Sequence, residues 1–191
     1  LATPKRPVLL VTDYLAPPVA EKLHEAKQQF ADTAGNAYLD AAGLLVMNNA
    51  NSYTGGTLIN AGRLGLNDGD GLGSGPVLIG SGGILGIGNV VVDNDISGTG
   101  QIIKTASGAG QLLGNNSFYS GTILVQQGVL FGTSGTGFGA GTIQLDAGTS
   151  FQLGAMTDST LVASLTGSGT FEKLGAGTLT LTLLALTLLT L

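Results

Sequence analysis

A gapless internal echo constrains this chain more than any single motif. Tyr53-Thr54-Gly55-Gly56-Thr57-Leu58-Ile59-Asn60-Ala61-Gly62-Arg63-Leu64 lies over Tyr119-Ser120-Gly121-Thr122-Ile123-Leu124-Val125-Gln126-Gln127-Gly128-Val129-Leu130 at an offset of 66 residues. The same offset carries Gly69, Gly71, Gly73, Gly75 and Gly82 onto Gly135, Gly137, Gly139, Gly141 and Gly148. It also pairs Leu72 with Phe138, Val77 with Ile143 and Leu85 with Phe151. A second pair sets Ile96-Ser97-Gly98-Thr99-Gly100 through Lys104 against Leu165-Thr166-Gly167-Ser168-Gly169 through Lys173. Self-similarity at a fixed period marks a stacked-repeat architecture.

The local period says what is stacked. Thr57-Leu58-Ile59, Pro76-Val77-Leu78-Ile79, Ile84-Leu85-Gly86-Ile87, Val90-Val91-Val92 and Thr142-Ile143-Gln144-Leu145 are short β-prone runs bounded by Gly, Asn, Asp and Ser, the punctuation of strands and turns. No helical stripe appears after residue 42. A sandwich or barrel uses such strands but does not explain the echo. A parallel β-solenoid does, if one repeat spans three coils of about 22 residues. Residues 41–191 then make about seven coils, with Tyr53 and Tyr119 at equivalent places three layers apart. Asn48, Asn49, Asn51, Asn115 and Asn116 are candidates for corners or stacked amide ladders.

Composition narrows the classes further. Glycine takes 33 of 191 positions without a three-residue period, and there are only five prolines, so collagen is excluded. A formal net charge of -5 argues against a nucleic-acid partner, because phosphate neutralisation needs clustered Lys and Arg. Without cysteine there is no disulfide frame, thiol nucleophile or Cys-ligated metal.

The chain has a seam. Residues 1–40 hold nine of its charged residues and one glycine, Gly35, while 41–191 hold the other 32 glycines. Pro7 to Val11 suit a buried strand, Pro17 and Pro18 the first turn of a helix. Val19, Leu23, Ala26 and Phe30 follow at helical spacing. This segment weakly resembles the opening β-α unit of a 2-hydroxyacid dehydrogenase, without the glycine fingerprint a dinucleotide site requires, so no cofactor is expected. It reads as an appendage or cap over residues 1–40. Lys5 and Arg6 precede an apolar run too short for a signal peptide. The Leu/Thr tail from Leu179 to Leu191 is a poor membrane span.

Gly167-x-Gly169-x-Phe171-x-Lys173-x-Gly175-x-Gly177-x-Leu179-x-Leu181 resembles the opening of the autotransporter-associated β-strand repeat, and Asn49 to Leu64 resembles its continuation. The resemblance covers most of residues 43–182. It implies an all-β, right-handed parallel β-helix (β-solenoid), here with a short α/β-like N-terminal segment. It also implies a passenger stalk of a type V secreted protein, placed at the cell surface or secreted and associated with the outer membrane. After Leu181 the family's Gly-Asn-x-Tyr-x-Gly turn is replaced by Leu- and Thr-rich sequence, and the family's translocator barrel is not in this chain.

The chemistry-bearing residues mostly read as structural. Asp68-Gly69-Asp70-Gly71 resembles half of a calcium turn, but its echo Ser134-Gly135-Thr136-Gly137 lacks both carboxylates, so a β-turn is expected and no metal. Asp93 and Asp95 share a strand face and, with Asp146, would form a glycan-cleaving site only if they converged. His24 is expected to be solvated, and Lys104 and Lys173 to serve spacing. Tyr53, Phe118, Tyr119, Phe131 and Phe138 are core or contact aromatics, core for most. The expectation is a non-catalytic structural or adhesive passenger fragment, meeting a host surface protein or glycan, with end-to-end self-association. The alternatives are a carbohydrate-active β-helical enzyme and an artificial or fusion chain without evolved function.

Overall fold

A computed structural model describes residues 9–32, 37–52, 54–182 and 186–187. Tyr53 and most of the tail beyond Thr182 lie outside the described residues.

The first unit comprises β1 (Leu9–Thr12), α1 (Pro17–Glu25) and β2 (Gln29–Asp32). β1 and β2 are parallel, with Leu9 opposite Gln29. Pro17 and Pro18 sit at the start of α1, where an absent N–H costs nothing. The helix does not extend to Phe30 as its apolar spacing suggested. Lys27 turns left-handed at φ 53°. The N–H groups of Lys27 and Gln28 fold back onto the carbonyls of His24 and Leu23, both at 2.9 Å, a Schellman closure. Phe30 then enters β2 and packs with Leu15 and Tyr38, against which Ala20 and Leu23 lie. Buried Asp32 is satisfied locally, accepting the Leu15 N–H at 2.6 Å.

From β3 (Ala37–Met47) onward the chain is a parallel β-solenoid of about eight turns. β3 takes β2 antiparallel, with Phe30 opposite Tyr38, and pairs in parallel with β4 (Thr57–Leu66). The compositional seam at Asp40 therefore falls inside a strand. Next come β5 (Val77–Ile87), β6 (Val91–Val92), β7 (Ile96–Gly98), β8 (Gln101–Lys104) and β9 (Ala109–Leu112). They are followed by β10 (Thr122–Val125), β11 (Val129–Gly132), β12 (Thr142–Leu145) and β13 (Ser150–Gly154). The last are β14 (Ser159–Leu161), β15 (Ser164–Gly167), β16 (Thr170–Leu174), β17 (Leu179–Leu181) and β18 (Leu186–Thr187). One sheet runs β1-β2-β3-β4-β5-β8-β10-β12-β15-β18 with β7 attached to β5, a second runs β6-β9-β11-β13-β16, and a third pairs β14 with β17.

Register turns the strands into interior files. Leu64, Leu85, Ile102, Ile123, Ile143 and Leu165 stand one above another, all buried. Gly110, Leu130, Phe151 and Phe171 form a second file. Its rings continue the core, since Phe151 lies 4.6 Å from Phe138 and 5.3 Å from Phe171 between centroids. Burying each such side chain contributes about 1.5–3 kcal/mol, and the parallel ladder repeats that gain at every turn.

The two copies of the sequence echo share local conformation but not a file. Short 3-10 turns occur at Gly69–Leu72 and Gly135–Phe138. Positive φ recurs at Gly62 and Gly128 (75° and 70°), Gly73 and Gly139 (58° and 66°), and Gly98 and Gly167 (104° and 106°). Yet Leu64 stacks in the file of Ile123, whereas its echo Leu130 stacks with Phe151. The cause is the length of a turn. Leu64, Leu85, Ile102 and Ile123 are successive register partners, so three turns bring the chain from residue 64 only to residue 123, short of the echo at 130. An echo of 66 residues therefore winds three turns and about a third of another, and the second copy sits one flank further around. The expected vertical equivalence of the copies is corrected accordingly.

Truncating the first file should be costly. Ile123→Ala is expected to lose about 2–5 kcal/mol in denaturant unfolding. Leu78→Ala, on the outward side of β5 and 47% exposed, should change stability by no more than about 0.5 kcal/mol.

Candidate functional site

Acidic and amide side chains gather at the corners, because each corner leaves backbone groups without strand partners. Asn94 is buried and donates its amide N–H groups to the carbonyls of Gly73 and Gly75 at 2.9 and 2.8 Å. Asn116 bridges two neighbours, accepting from Ile96 N–H at 2.6 Å and donating to the Gly137 carbonyl at 2.7 Å. Asn51 donates to the Gly71 carbonyl at 2.7 Å, and Asn67 reaches Asn48 in the preceding turn at 2.7 Å. The Asn115 side chain accepts from Ser117 N–H at 3.3 Å. The Asn49 carbonyl lies 3.5 Å from the Asn51 amide.

Of the carboxylates singled out from the sequence, Asp95 and Asp68 are spent in the same way. Asp95 accepts the N–H of Asn115 at 2.8 Å, one turn on. Asp158 does the same for Thr178 at 2.8 Å, a backbone hydrogen bond that holds its carboxyl below the usual carboxylate value. Asp93 is exposed. Asp146 follows β12 and precedes β13, whereas Asp93 follows β6, three steps away along the second sheet. The fold does not bring these acids together. Asp68 caps its own 3-10 turn by accepting the Asp70 N–H at 3.0 Å. The echo builds the same turn with Ser134 against Thr136 at 2.9 Å, so that turn needs no carboxylate. Among the described residues no group of three His, Cys, Asp or Glu is placed to hold a metal ion.

Lys104 occupies an interior position, between Ile87 and Val125 in register. Its Nζ meets only neutral acceptors: the Ala106 carbonyl, with Asn89 Oδ1 and the Gln127 carbonyl both at 3.4 Å. Burial pushes the amine down from its usual value. Gly110 makes room for the stem, since a Cβ there would meet Lys104 Cδ and Cε at 2.7 Å. Lys173 does the equivalent work near the last turns, donating to the carbonyls of Leu174 and Gly175 at 2.7 and 2.8 Å. Both lysines tie off a corner, in line with their matched sequence positions.

The aromatics divide. Tyr119 and Phe138 are buried, Phe131 is half-buried, and Phe118 is 83% exposed. The Tyr119 hydroxyl lies 2.8 Å from the Gly100 carbonyl and 2.9 Å from that of Thr122, and burial raises its pKa. His24 is exposed, with its ring edge-on to Tyr38 at 4.5 Å. It lines a groove of about 420 Å³ with Glu21, Phe30 and Leu58. A second recess of about 310 Å³ was not foreseen from the sequence. Ser81, Gly82, Gly83, Ile84, Thr99, Gly100, Gln101 and Thr122 line it across three turns. Its only signal there is the outward phase of alternating strand residues, which has no meaning until the register is known.

Lys104→Ala should cost about 2–5 kcal/mol, and Lys104→Met, which keeps the stem, less. Gly110→Ala should lose about 1–3 kcal/mol by overpacking, and less in a Lys104→Ala background, as a double-mutant cycle of unfolding energies will read. Lys104 has a folded pKa below its ordinary 10.5. The unfolded chain therefore holds more protons beneath that pH, and stability rises as pH climbs toward it. Tyr119 acts oppositely, its contribution falling as pH passes its ordinary 10.0. The difference between wild type and Lys104→Met across this range isolates the lysine.

No family model matches the chain, and no curated protein or solved structure matches it.

Proposed function

We propose that this chain is a non-catalytic, structural and adhesive stretch of a surface-displayed or secreted protein of the autotransporter type. The observation that supports it best is the fate of the carboxylates. Asp68 and Asp95 are bonded into the backbone of corners, and Asp93 and Asp146 stand at separate corners, so these four acids form no acid–base pair facing a cleft. What remains is a parallel stack that carries a file of neutral polar side chains, Gln101, Thr122, Thr142 and Ser164, on one outward face. Cysteine-free sequence suits export as an extended chain, which an early disulfide would obstruct. Export would run through an outer-membrane translocator barrel, and the partner met outside would be a host surface protein or a glycan.

Fused to a translocator barrel and expressed in a Gram-negative host, residues 41–182 should become protease-accessible on intact cells and increase retention on a glycan- or matrix-coated surface. Display without any gain in retention contradicts adhesion, and failure to reach the surface contradicts the export reading. The purified chain should leave acidic and neutral polysaccharides uncleaved. Turnover that vanishes in Asp93→Ala would replace this reading with the enzymatic one. In the same variant series, Asp95→Ala should instead lower stability by about 1 kcal/mol through loss of its bond to Asn115.

A further inference from the structure

We propose that the recess lined by Ser81, Thr99, Gln101 and Thr122 binds a neutral polysaccharide laid along the axis of the solenoid. This rests on the adhesive reading above and narrows it to one ligand class and one place.

The recess arises from a mismatch between successive corners. In β5 the segment from Gly80 to Gly83 separates Ile79 from Ile84, whereas one turn later only Thr99 and Gly100 separate β7 from β8. The shorter corner leaves a step of about 310 Å³ beside the longer one. Glycine keeps the step close-packed beneath: a Cβ on Gly83 would meet the Ile59 carbonyl at 2.0 Å, and one on Gly100 the Gly80 carbonyl at 2.2 Å. The depth of the recess is thus fixed by backbone, not by mobile side chains.

Apart from Ile84 and the glycines, the side chains of its wall are neutral and polar. Three hydroxyls and one carboxamide project from the wall, and none of these side-chain groups is hydrogen-bonded within the described residues. Each can donate and accept, the same dual capacity that a sugar hydroxyl has. No charged side chain lines the recess. Arg63 stands opposite Ile84 on the preceding turn, outside the lining; the recess itself offers an ionic ligand no charged partner, and a neutral polyol is the class its wall matches. The wall also carries no aromatic ring for stacking.

The same chemistry continues beyond the recess. Gln101 pairs in register with Thr122, Thr122 with Thr142, and Thr142 with Ser164. Their neighbours Ile102, Ile123, Ile143 and Leu165 point inward, so these four face outward in a file. Rungs repeat at about 4.8 Å, comparable with the length of one sugar ring. A chain of sugars seated in the recess therefore meets one polar side chain per rung. Each contact is weak, and affinity accumulates with chain length.

The test is an amide NMR titration of the purified chain with cellobiose, cellohexaose, xylohexaose and laminarihexaose, with a galacturonate hexamer as the charged control. The expected result is shift changes confined to Gly82, Gly83, Gly100 and the Gln101–Ser164 file. At least one neutral hexamer should bind about tenfold or more tighter than the disaccharide, with no response to the acidic hexamer. Thr99→Val combined with Gln101→Leu should abolish the response at an unchanged melting temperature, and Thr122→Val should weaken it. Absence of shifts with all three neutral hexamers, shifts centred on the His24 groove, or undiminished binding by the double variant would each overturn the proposal. Binding through these residues without retention of cells on polysaccharide-coated beads upholds the recess and removes the adhesive reading alone.

Discussion

Thr122 to Val125 take their strand partners from Gln101 to Lys104 on one side and from Thr142 to Leu145 on the other. That arrangement sets everything else about the molecule. A peptide group that must pair with the next turn forces successive strands to hold the same direction and register, and leaves differences in turn length to the corners. Side chains at matched positions then fall into files, and a file that points inward is apolar except where, as at Lys104 between Ile87 and Val125, a polar end finds backbone acceptors. Ile123 cannot be polar without exposing Ile102 and Ile143 to an unpaired group. The cost of ordering so long a ladder is met by repetition of one contact rather than by a single large core.

Corners are where the ladder's demands are hardest to meet, and the sequence spends its polar side chains there. Asn94 and Asn116 satisfy carbonyls that no strand reaches. Asp95 and Asp158 accept N–H groups from the following turn. Lys104 goes furthest, placing an amine among backbone carbonyls from an interior position. Such groups look like chemistry in a sequence, and a β-solenoid consumes them as structure. Around the recess the outward side chains of Ser81, Thr99, Gln101 and Thr122, plain by comparison, keep their hydrogen-bonding capacity for a ligand.

Much of this was legible before any coordinates. Short runs such as Thr142 to Leu145, bounded by glycine, already specify strands, and the echo specifies stacking. Asn51 and Asn116 are readable as corner residues for the same reason. The phase between copies was not legible, because an offset of 66 fixes a period without saying how many residues close one turn. Only register shows a 20-residue turn between Thr122 and Thr142, and with it the shift that separates Leu64 from Leu130. Phe30 misled because its helical spacing matched a face that the left-handed Lys27 had already terminated. The recess at Ser81 and Thr99 was invisible for a related reason: it exists only between turns, where corners of unequal length meet.

The most direct measurement of the stacked register is a set of methyl–methyl and methyl–aromatic NOEs on a chain with selectively labelled Ile, Leu and Phe. The account predicts an unbroken series of contacts from Leu85 through Ile102 and Ile123 to Ile143, with Leu130 contacting Phe151 instead. An Ile123 methyl that touches neither Ile102 nor Ile143, or close Hα–Hα contacts of antiparallel hairpins across this stretch, would contradict it.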